Sequence, residues 1–182
     1  MQIGKHNTDE KVFLIAEIGN NHEGDFDLAQ EMVRSAAEAG VDAVKFQTII
    51  PTRLVSHTDE KRIKQLTRFQ LTPEQFGELS RQAEACGIVF MSTPFDLAAV
   101  GFLDSLVPAF KIASGDNDFW PLIDCVAQTG NPLIISMGLG QAENAQTLID
   151  FVEASARKHG ISVPEIALLH CVVSYPTPPE QA

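Results

Sequence analysis

Short runs of apolar and β-branched residues alternate along the chain with longer segments in which apolar residues recur at helical spacing. The short runs predict six strands, because their length and flanking turn residues favour strands over buried helices. The predicted strands are residues 12–19, 44–49, 88–95, 109–116, 132–138 and 165–175. Their apolar character on both faces is typical of a parallel sheet covered by helices.

The longer segments predict helices between these strands, at residues 27–40, 73–87, 96–106, 119–130 and 142–160. Asp27 is a candidate N-cap and Gly40 a candidate C′ residue, and Thr72 with Pro73 is typical of a helix start. Residues 51–71 carry five Lys or Arg residues and exceed an ordinary βα turn. We interpret that segment as a functional loop or lid.

Two α/β architectures fit a regular succession of βα units. A doubly wound sheet usually has a GxGxxG turn after its first strand, and residues 19–24 (GNNHEG) do not match it. A TIM (β/α)8 barrel concentrates polar residues at the C-terminal ends of its strands. Such residues occur at every predicted strand: Glu17, Lys45, Gln47, Ser92, Thr93, Lys111, Ser114, Ser136 and Tyr175. We therefore predict a TIM barrel.

The length predicts one domain covering only part of a barrel. A complete (β/α)8 barrel needs about 250 residues, whereas these 182 residues supply about six βα units. We interpret residues 1–182 as the N-terminal part of a barrel that is C-terminally truncated and lacks its last two strands.

Composition and charge exclude several classes of partner. Apolar residues make up 45% and charged residues 20%, as in a globular domain. The net charge of −11 argues against nucleic acid or an anionic membrane as partner, because both require a basic surface. The polar start resembles no signal peptide, and no apolar stretch approaches the roughly 20 residues that span a bilayer. We expect a cytoplasmic protein.

Charged side chains inside apolar strands indicate a site. Glu17, Lys45 and Lys111 are each flanked by apolar residues, and burying such a group without a partner is unfavourable. Two amines and several hydroxyls at one barrel mouth would suit a phosphate and a carboxylate. Two alternatives stay open: Glu17 and Lys45 could form a buried salt bridge without a catalytic role, and Lys111 could extend to the surface.

Five motifs, in order along the chain, resemble those of the N-acetylneuraminate (sialic acid) synthase family. They are residues 16–24 (AEIGNNHEG), 44–48 (VKFQT), 91–95 (MSTPF), 110–115 (FKIASG), and 169–171 (LHC) with 175–178 (YPTP). The resemblance covers nearly the whole chain from about Phe13. It identifies the family and leaves open which nonulosonic acid is made.

The resemblance implies a PEP-dependent transferase. Members of this family condense phosphoenolpyruvate (PEP) with an N-acylated amino sugar such as N-acetylmannosamine, and they release phosphate. By motif, Lys45, Thr93, Lys111, Ser114 and Ser136 would bind PEP. Glu17 would transfer protons, and Gln47, Asp116 and Tyr175 would contact the sugar. Well-known members have glutamate at the position of Asp116, so that contact is expected to be looser here.

The resemblance also implies a divalent metal, Mn²⁺ or Mg²⁺, and a homodimer. In this family the metal-binding histidines follow the seventh and eighth strands, and a small antifreeze-like domain closes over the partner's site. We therefore expect the metal ligands beyond Ala182, no metal site within this chain, and no turnover by this chain alone.

Two other hypotheses compete with the synthase. Lys45 or Lys111 could act as the amine of a Schiff-base aldolase on the same fold. Alternatively, the chain could be a non-catalytic barrel remnant that self-associates through its open sheet edges.

Overall fold

The computed structural model describes residues 1–138, 142–174 and 176–181, so Tyr175 lies outside the described residues. The chain divides into two compact units. The first unit is Ile3–Pro108, and the second unit is Ala109–Ala182 together with Met1–Gln2.

The first unit is built around a parallel three-stranded sheet in the order β3-β4-β5. In this sheet Lys45 lies opposite Glu17 on one side and opposite Met91 on the other. Its elements, with a small two-stranded sheet at the start of the chain, are β1 (Gln2–Ile3), β2 (His6–Asn7), β3 (Ile15–Gly19), α1 (Phe26–Glu38), β4 (Ala43–Thr48), α2 (Pro51–Leu54), α3 (Glu60–Phe69), α4 (Pro73–Ala85), β5 (Val89–Pro94) and α5 (Leu97–Leu103).

The second unit repeats this plan with the parallel sheet β6-β7-β8. Lys111 lies opposite Ile134, and the last pair of the β7–β8 ladder is Ser136 with Leu169. Its elements are β6 (Phe110–Ile112), a 3₁₀ turn (Ser114–Asp116), α6 (Trp120–Ala127), β7 (Leu133–Ser136), α7 (Ala142–His159), β8 (Ile166–Leu169) and a second 3₁₀ turn (Pro179–Gln181).

The α/β class and the parallel strands are confirmed, but the described residues do not form a closed barrel. A barrel closes only when every strand pairs on both sides. Here the described ladders form two separate sheets of three strands, so β3, β5, β6 and β8 are edge strands. The six strands of a truncated barrel are therefore not confirmed for the described part of the chain.

The predicted strands were too long at both ends of the chain. The first begins at Ile15 rather than at residue 12, and Val12 is 82% exposed. The backbone N–H of Leu14 donates to the carboxylate of Asp42 at 2.9 Å. The last strand ends at Leu169, because β7 ends at Ser136 and offers no further ladder partner.

Residues 51–71 are largely helical, which corrects the prediction of a loop there. The side chain of Asp59 caps α3 by accepting the Arg62 N–H, and Leu66 anchors the helix in the core at 3% exposure. Elsewhere the N-cap of α1 is Asp25 and not Asp27. The predicted start of α4 is confirmed, since Thr72 forms a reciprocal capping box with Gln75.

Each unit has its own apolar core beneath its sheet. In the first unit Val33 of α1, Phe46 of β4 and Leu79 of α4 are fully buried. In the second unit Leu122 of α6 and Leu133 of β7 are equally buried. No helix among the described residues has both the length and the apolarity to cross a membrane.

Candidate active site

The first cluster of polar side chains lies at the C-terminal end of the sheet β3-β4-β5. Lys45 on β4 is only 8% exposed. Its Nζ forms an ion pair with Glu17 Oε2 on β3 and donates to Thr93 Oγ1 on β5 at 3.2 Å. Three neighbouring strands therefore contribute an amine, a carboxylate and a hydroxyl to one contact, as strand parity predicts.

Gln47 lies two residues beyond Lys45, on the same face of β4. Its Oε1 accepts a hydrogen bond from Asn20 Nδ2 at 2.8 Å. Asn20 follows β3 directly, and sequence reasoning missed it. Thr48 and Ser92 lie on the opposite face of the sheet, where their hydroxyls hydrogen-bond to each other at 2.8 Å. Ser92 therefore points away from Lys45, whereas Thr93 points toward it.

The loop after β3 is held in place by a close backbone approach. Gly24 has φ +89°, and a Cβ at this position would lie 1.8 Å from the carbonyl oxygen of Arg68 at the end of α3. Within this loop His22 is 1% exposed, and its Nδ1 accepts the Gly24 N–H at 3.0 Å. Burial lowers the pKa of His22, opposed by the nearby charge of Asp25, and its buried Nε2 has no hydrogen-bond partner among the described residues.

The second cluster lies at the C-terminal end of the sheet β6-β7-β8. Lys111 on β6 is 8% exposed, and its Nζ donates to Ser136 Oγ on β7 at 2.6 Å and to the carbonyl oxygen of Ile112 at 2.6 Å. The alternative in which Lys111 extends to the surface is therefore wrong.

The turn after β6 joins the second cluster. Ser114 Oγ accepts the Gly138 N–H at 3.2 Å, and Asn117 Nδ2 donates to the carbonyl oxygen of Ser136 at 3.2 Å. A Cβ at Gly138 would lie 2.8 Å from Ser114 Oγ, so a larger residue would require the Ser114 side chain to shift. Burial, and secondarily the charge of Asp118, raises the pKa of Asp116 in the same turn.

The structure thus groups the predicted residues into two sets. Glu17, Lys45, Gln47 and Thr93 meet in the first unit. Lys111, Ser114, Ser136 and Asp116 lie together at the end of the second sheet. That both sets bind one ligand stays a prediction, and Tyr175 lies outside the described residues.

The polar contacts that sequence reasoning missed are those of Asn20, Asn117 and Gly138. Their only signal in the sequence is a position within a few residues of a strand end, which many structural residues share.

Among the described residues no three His, Cys, Asp or Glu side chains come together in a group that could hold a divalent metal. His22 has its Nδ1 committed to the Gly24 N–H.

Comparison with known proteins gives a consistent picture. The sequence model of the NeuB family matches residues 32–182. An uncharacterised protein of Methanocaldococcus jannaschii is 42% identical over 94% of this chain and 49% of its own length. The N,N'-diacetyllegionaminic acid synthase of Legionella pneumophila is 39% identical over 90% of this chain and 49% of its own length. The chain thus spans about half the length of these relatives.

A solved structure extends the similarity to the fold. The N-acetylneuraminic acid (sialic acid) synthetase of Leptospira borgpetersenii, crystallised in complex with citrate, superposes with a TM-score of 0.88 at 28% identity. The superposition covers 99% of this chain and 61% of that one. The fold is therefore similar to that of a segment of this synthetase.

Proposed function

Because the chain belongs to the NeuB family, we propose that its protein condenses phosphoenolpyruvate with an N-acylated amino sugar to give a nonulosonic acid and phosphate. The observation that carries the proposal is the pair of nearly buried lysines, each in contact with a hydroxyl on the next strand. Such groups suit an anion that carries both a phosphate and a carboxylate.

We propose that Lys45, Thr93, Lys111, Ser114 and Ser136 bind PEP. Amines held by their own strands require little reorganisation when the trianion enters, and fixed donors stabilise the charge that leaves with phosphate. The geometry of each cluster supports this role, since the amines of Lys45 and Lys111 each donate to a hydroxyl group. These hydroxyls can accept from the lysine and donate to the ligand.

Glu17 is the proposed proton-transfer group. Its side chain is 53% exposed although its carboxylate contacts Lys45, so a substrate can reach it. In the proposed reaction C3 of PEP attacks the aldehyde carbon of the open-chain sugar, and water adds at C2. The resulting tetrahedral intermediate loses phosphate by cleavage of its C–O bond. A positioned carboxylate that relays these protons contributes roughly 10²–10⁴-fold to the rate.

Gln47, Asp116 and Tyr175 are the proposed sugar contacts. Gln47 is supported by its place beside Lys45, on the same face of β4. Asp116 is half-buried at the end of the second sheet, and its carboxyl oxygens can accept from a sugar hydroxyl there. Tyr175 rests on the sequence motif alone.

The test is phosphate release by the natural full-length protein from PEP with N-acetylmannosamine or a diacetylated amino sugar, supplied with Mn²⁺ or Mg²⁺. We expect release that depends on the sugar, together with a nonulosonic acid detected by mass spectrometry. Release without a sugar, or none with any N-acylated sugar, would contradict the proposal.

A borohydride trap separates the synthase from a Schiff-base aldolase. The aldolase needs a neutral lysine amine, whereas Lys45 is ion-paired with Glu17. We expect no mass increase on Lys45 or Lys111 after treatment with pyruvate and borohydride, and a covalent adduct on either lysine would favour the aldolase.

A further inference from the structure

We infer that Asn20 is a positioning residue, which orients the side-chain amide of Gln47 so that its N–H groups face the substrate. The inference rests on the proposed function, because it concerns the sugar contact made by Gln47. It assigns a role to a residue in the loop after β3, outside the set of predicted contacts.

A side-chain hydrogen bond joins Asn20 to Gln47. Asn20 Nδ2 donates to Gln47 Oε1 at 2.8 Å, across 27 positions of sequence. Because Oε1 is occupied as an acceptor, the amide of Gln47 cannot turn over by itself without placing two N–H groups against each other; it turns over only together with the amide of Asn20. Its Nε2 is thereby the atom left to meet a ligand.

The backbone of Asn20 is held by its own loop. The carbonyl oxygen of Asn20 accepts the Glu23 N–H at 2.9 Å, and Gly19 before it adopts φ +56°. Asn20 and Gln47 also line a cavity of only about 10 Å³, enclosed by Leu66 and Phe69 of α3. A space of that size holds at most about one water molecule, so water has little room to replace the contact between the two amides on that side.

The side chains of Gln47 and Glu17 both lie close to Gly19. A Cβ at Gly19 would lie 3.3 Å from Glu17 Oε1 and 3.9 Å from Gln47 Nε2. A carboxylate acceptor and an amide donor therefore flank the same point. A sugar hydroxyl can accept from the amide and donate to the carboxylate at once, so the pair fits a hydroxyl better than an ammonium group or a second carboxylate.

The test replaces the donor by an acceptor in the natural full-length protein. In Asn20→Asp the carboxylate can only accept, so the amide of Gln47 turns over and presents Oε1 to the substrate. We expect KM for the sugar to rise roughly tenfold, as for a lost hydrogen bond, while KM for PEP is unchanged. Gln47→Glu should reproduce this effect, and Asn144→Asp, an exposed change on α7 with the same charge, should not.

A double substitution distinguishes positioning from a general structural effect. If Asn20 acts through Gln47, adding Asn20→Asp to Gln47→Ala raises KM for the sugar no further. An additional rise in the double variant, or an unchanged KM in Asn20→Asp alone, would overturn the inference.

NMR tests the orientation without any turnover. In the wild type we expect a slowly exchanging Asn20 side-chain N–H and a fast-exchanging Gln47 Nε2 group, and in Asn20→Asp a slowly exchanging Gln47 Nε2 group. Fast exchange of the Asn20 N–H in the wild type would refute the inference, whatever the activity. If the wild type shows this NMR pattern but does not release phosphate, the proposed function alone is refuted.

Discussion

The two units hold their lysines in the same way but surround them differently. Lys45 lies opposite Met91 and donates to Thr93, two residues further along the neighbouring strand. Lys111 lies opposite Ile134 and donates to Ser136, again two residues further. One local rule of parallel strands therefore produces both contacts, because residues two apart share a face.

The difference lies in what else meets each amine. In the first unit the carboxylate of Glu17 contacts Lys45. In the second unit Lys111 also donates to the carbonyl oxygen of Ile112, and the carboxyl group on the next turn, Asp116, has a pKa raised by burial and by Asp118. We therefore expect a division in which both clusters bind the anion and only the first, where Glu17 contacts the amine, also transfers protons.

Replacing each lysine by methionine tests that division and should have the largest effect. We expect Lys111→Met to lower kcat/KM for PEP by about 10²–10³-fold in the natural full-length protein, because a fixed cationic donor is lost. Lys45→Met should lower kcat/KM for PEP by a similar factor and should also shift the pH profile of kcat, since it removes the partner of Glu17. Steady-state phosphate release over a range of pH measures both.

A surface lysine serves as the control, and Lys158→Met at the end of α7 should leave kcat/KM unchanged. Equal pH profiles for Lys45→Met and wild type would remove the basis for assigning proton transfer to the first cluster.

Close-packed glycines test how each unit fixes its site. In the first unit Gly24→Ala places a Cβ 1.8 Å from a backbone oxygen at φ +89°, and we expect a loss of about 2–4 kcal/mol in the free energy of unfolding. In the second unit Gly138→Ala meets side-chain atoms at 2.8 Å, which can shift, so a loss of about 1 kcal/mol is expected. Urea denaturation measures both.

The matched control is Gly40→Ala, which has φ +83° and open space around its Cβ. It should lose only the backbone contribution, about 1–2 kcal/mol. Similar losses for Gly24→Ala and Gly40→Ala would mean that the contact with Arg68 has no energetic weight.

The smallest expected effects are opposite pH trends at two aspartates. The Leu14 N–H and the Lys11 amine hold the pKa of Asp42 below its ordinary value of 3.8. Its ionised form therefore stabilises the fold above pH 3.8, and this contribution disappears as the pH falls through the lowered pKa. The stability deficit of Asp42→Asn should accordingly vanish in acid.

Asp116 should behave in the opposite way, since burial raises its pKa above 3.8. Ionisation of this carboxyl then destabilises the fold. The stability of Asp116→Asn relative to the wild type should therefore increase as the pH rises through the raised pKa. Thermal melts between about pH 3 and pH 7 follow both variants. Parallel trends for the two aspartates would contradict the assigned causes.

The sequence predicted the parts of the fold that depend on local pattern. Apolar runs located the central strands, and the capping residues at Thr72 located α4. The exposed positions of Val12 and Leu14 could not be foreseen, because apolar residues just before a strand have the same pattern as those within it. Helix α3 was missed because its charged residues outweigh the single buried anchor, Leu66.

Within the site, the sequence located Glu17, Lys45 and Thr93 at strand ends, and the contact among them follows from the register of the three strands. The bond between Asn20 and Gln47 was beyond such reasoning, since it joins side chains 27 residues apart through the shape of a loop. Local sequence pattern thus locates site residues on regular strands, but it does not locate site residues that lie in loops.

Isothermal titration of PEP into the natural full-length protein tests most directly whether both clusters bind one ligand. We expect Lys45→Met and Lys111→Met each to weaken PEP binding by at least about tenfold. The double variant should lose less than the product of the two effects, as for residues that contact a single ligand. Unchanged PEP affinity in either single variant would contradict the account.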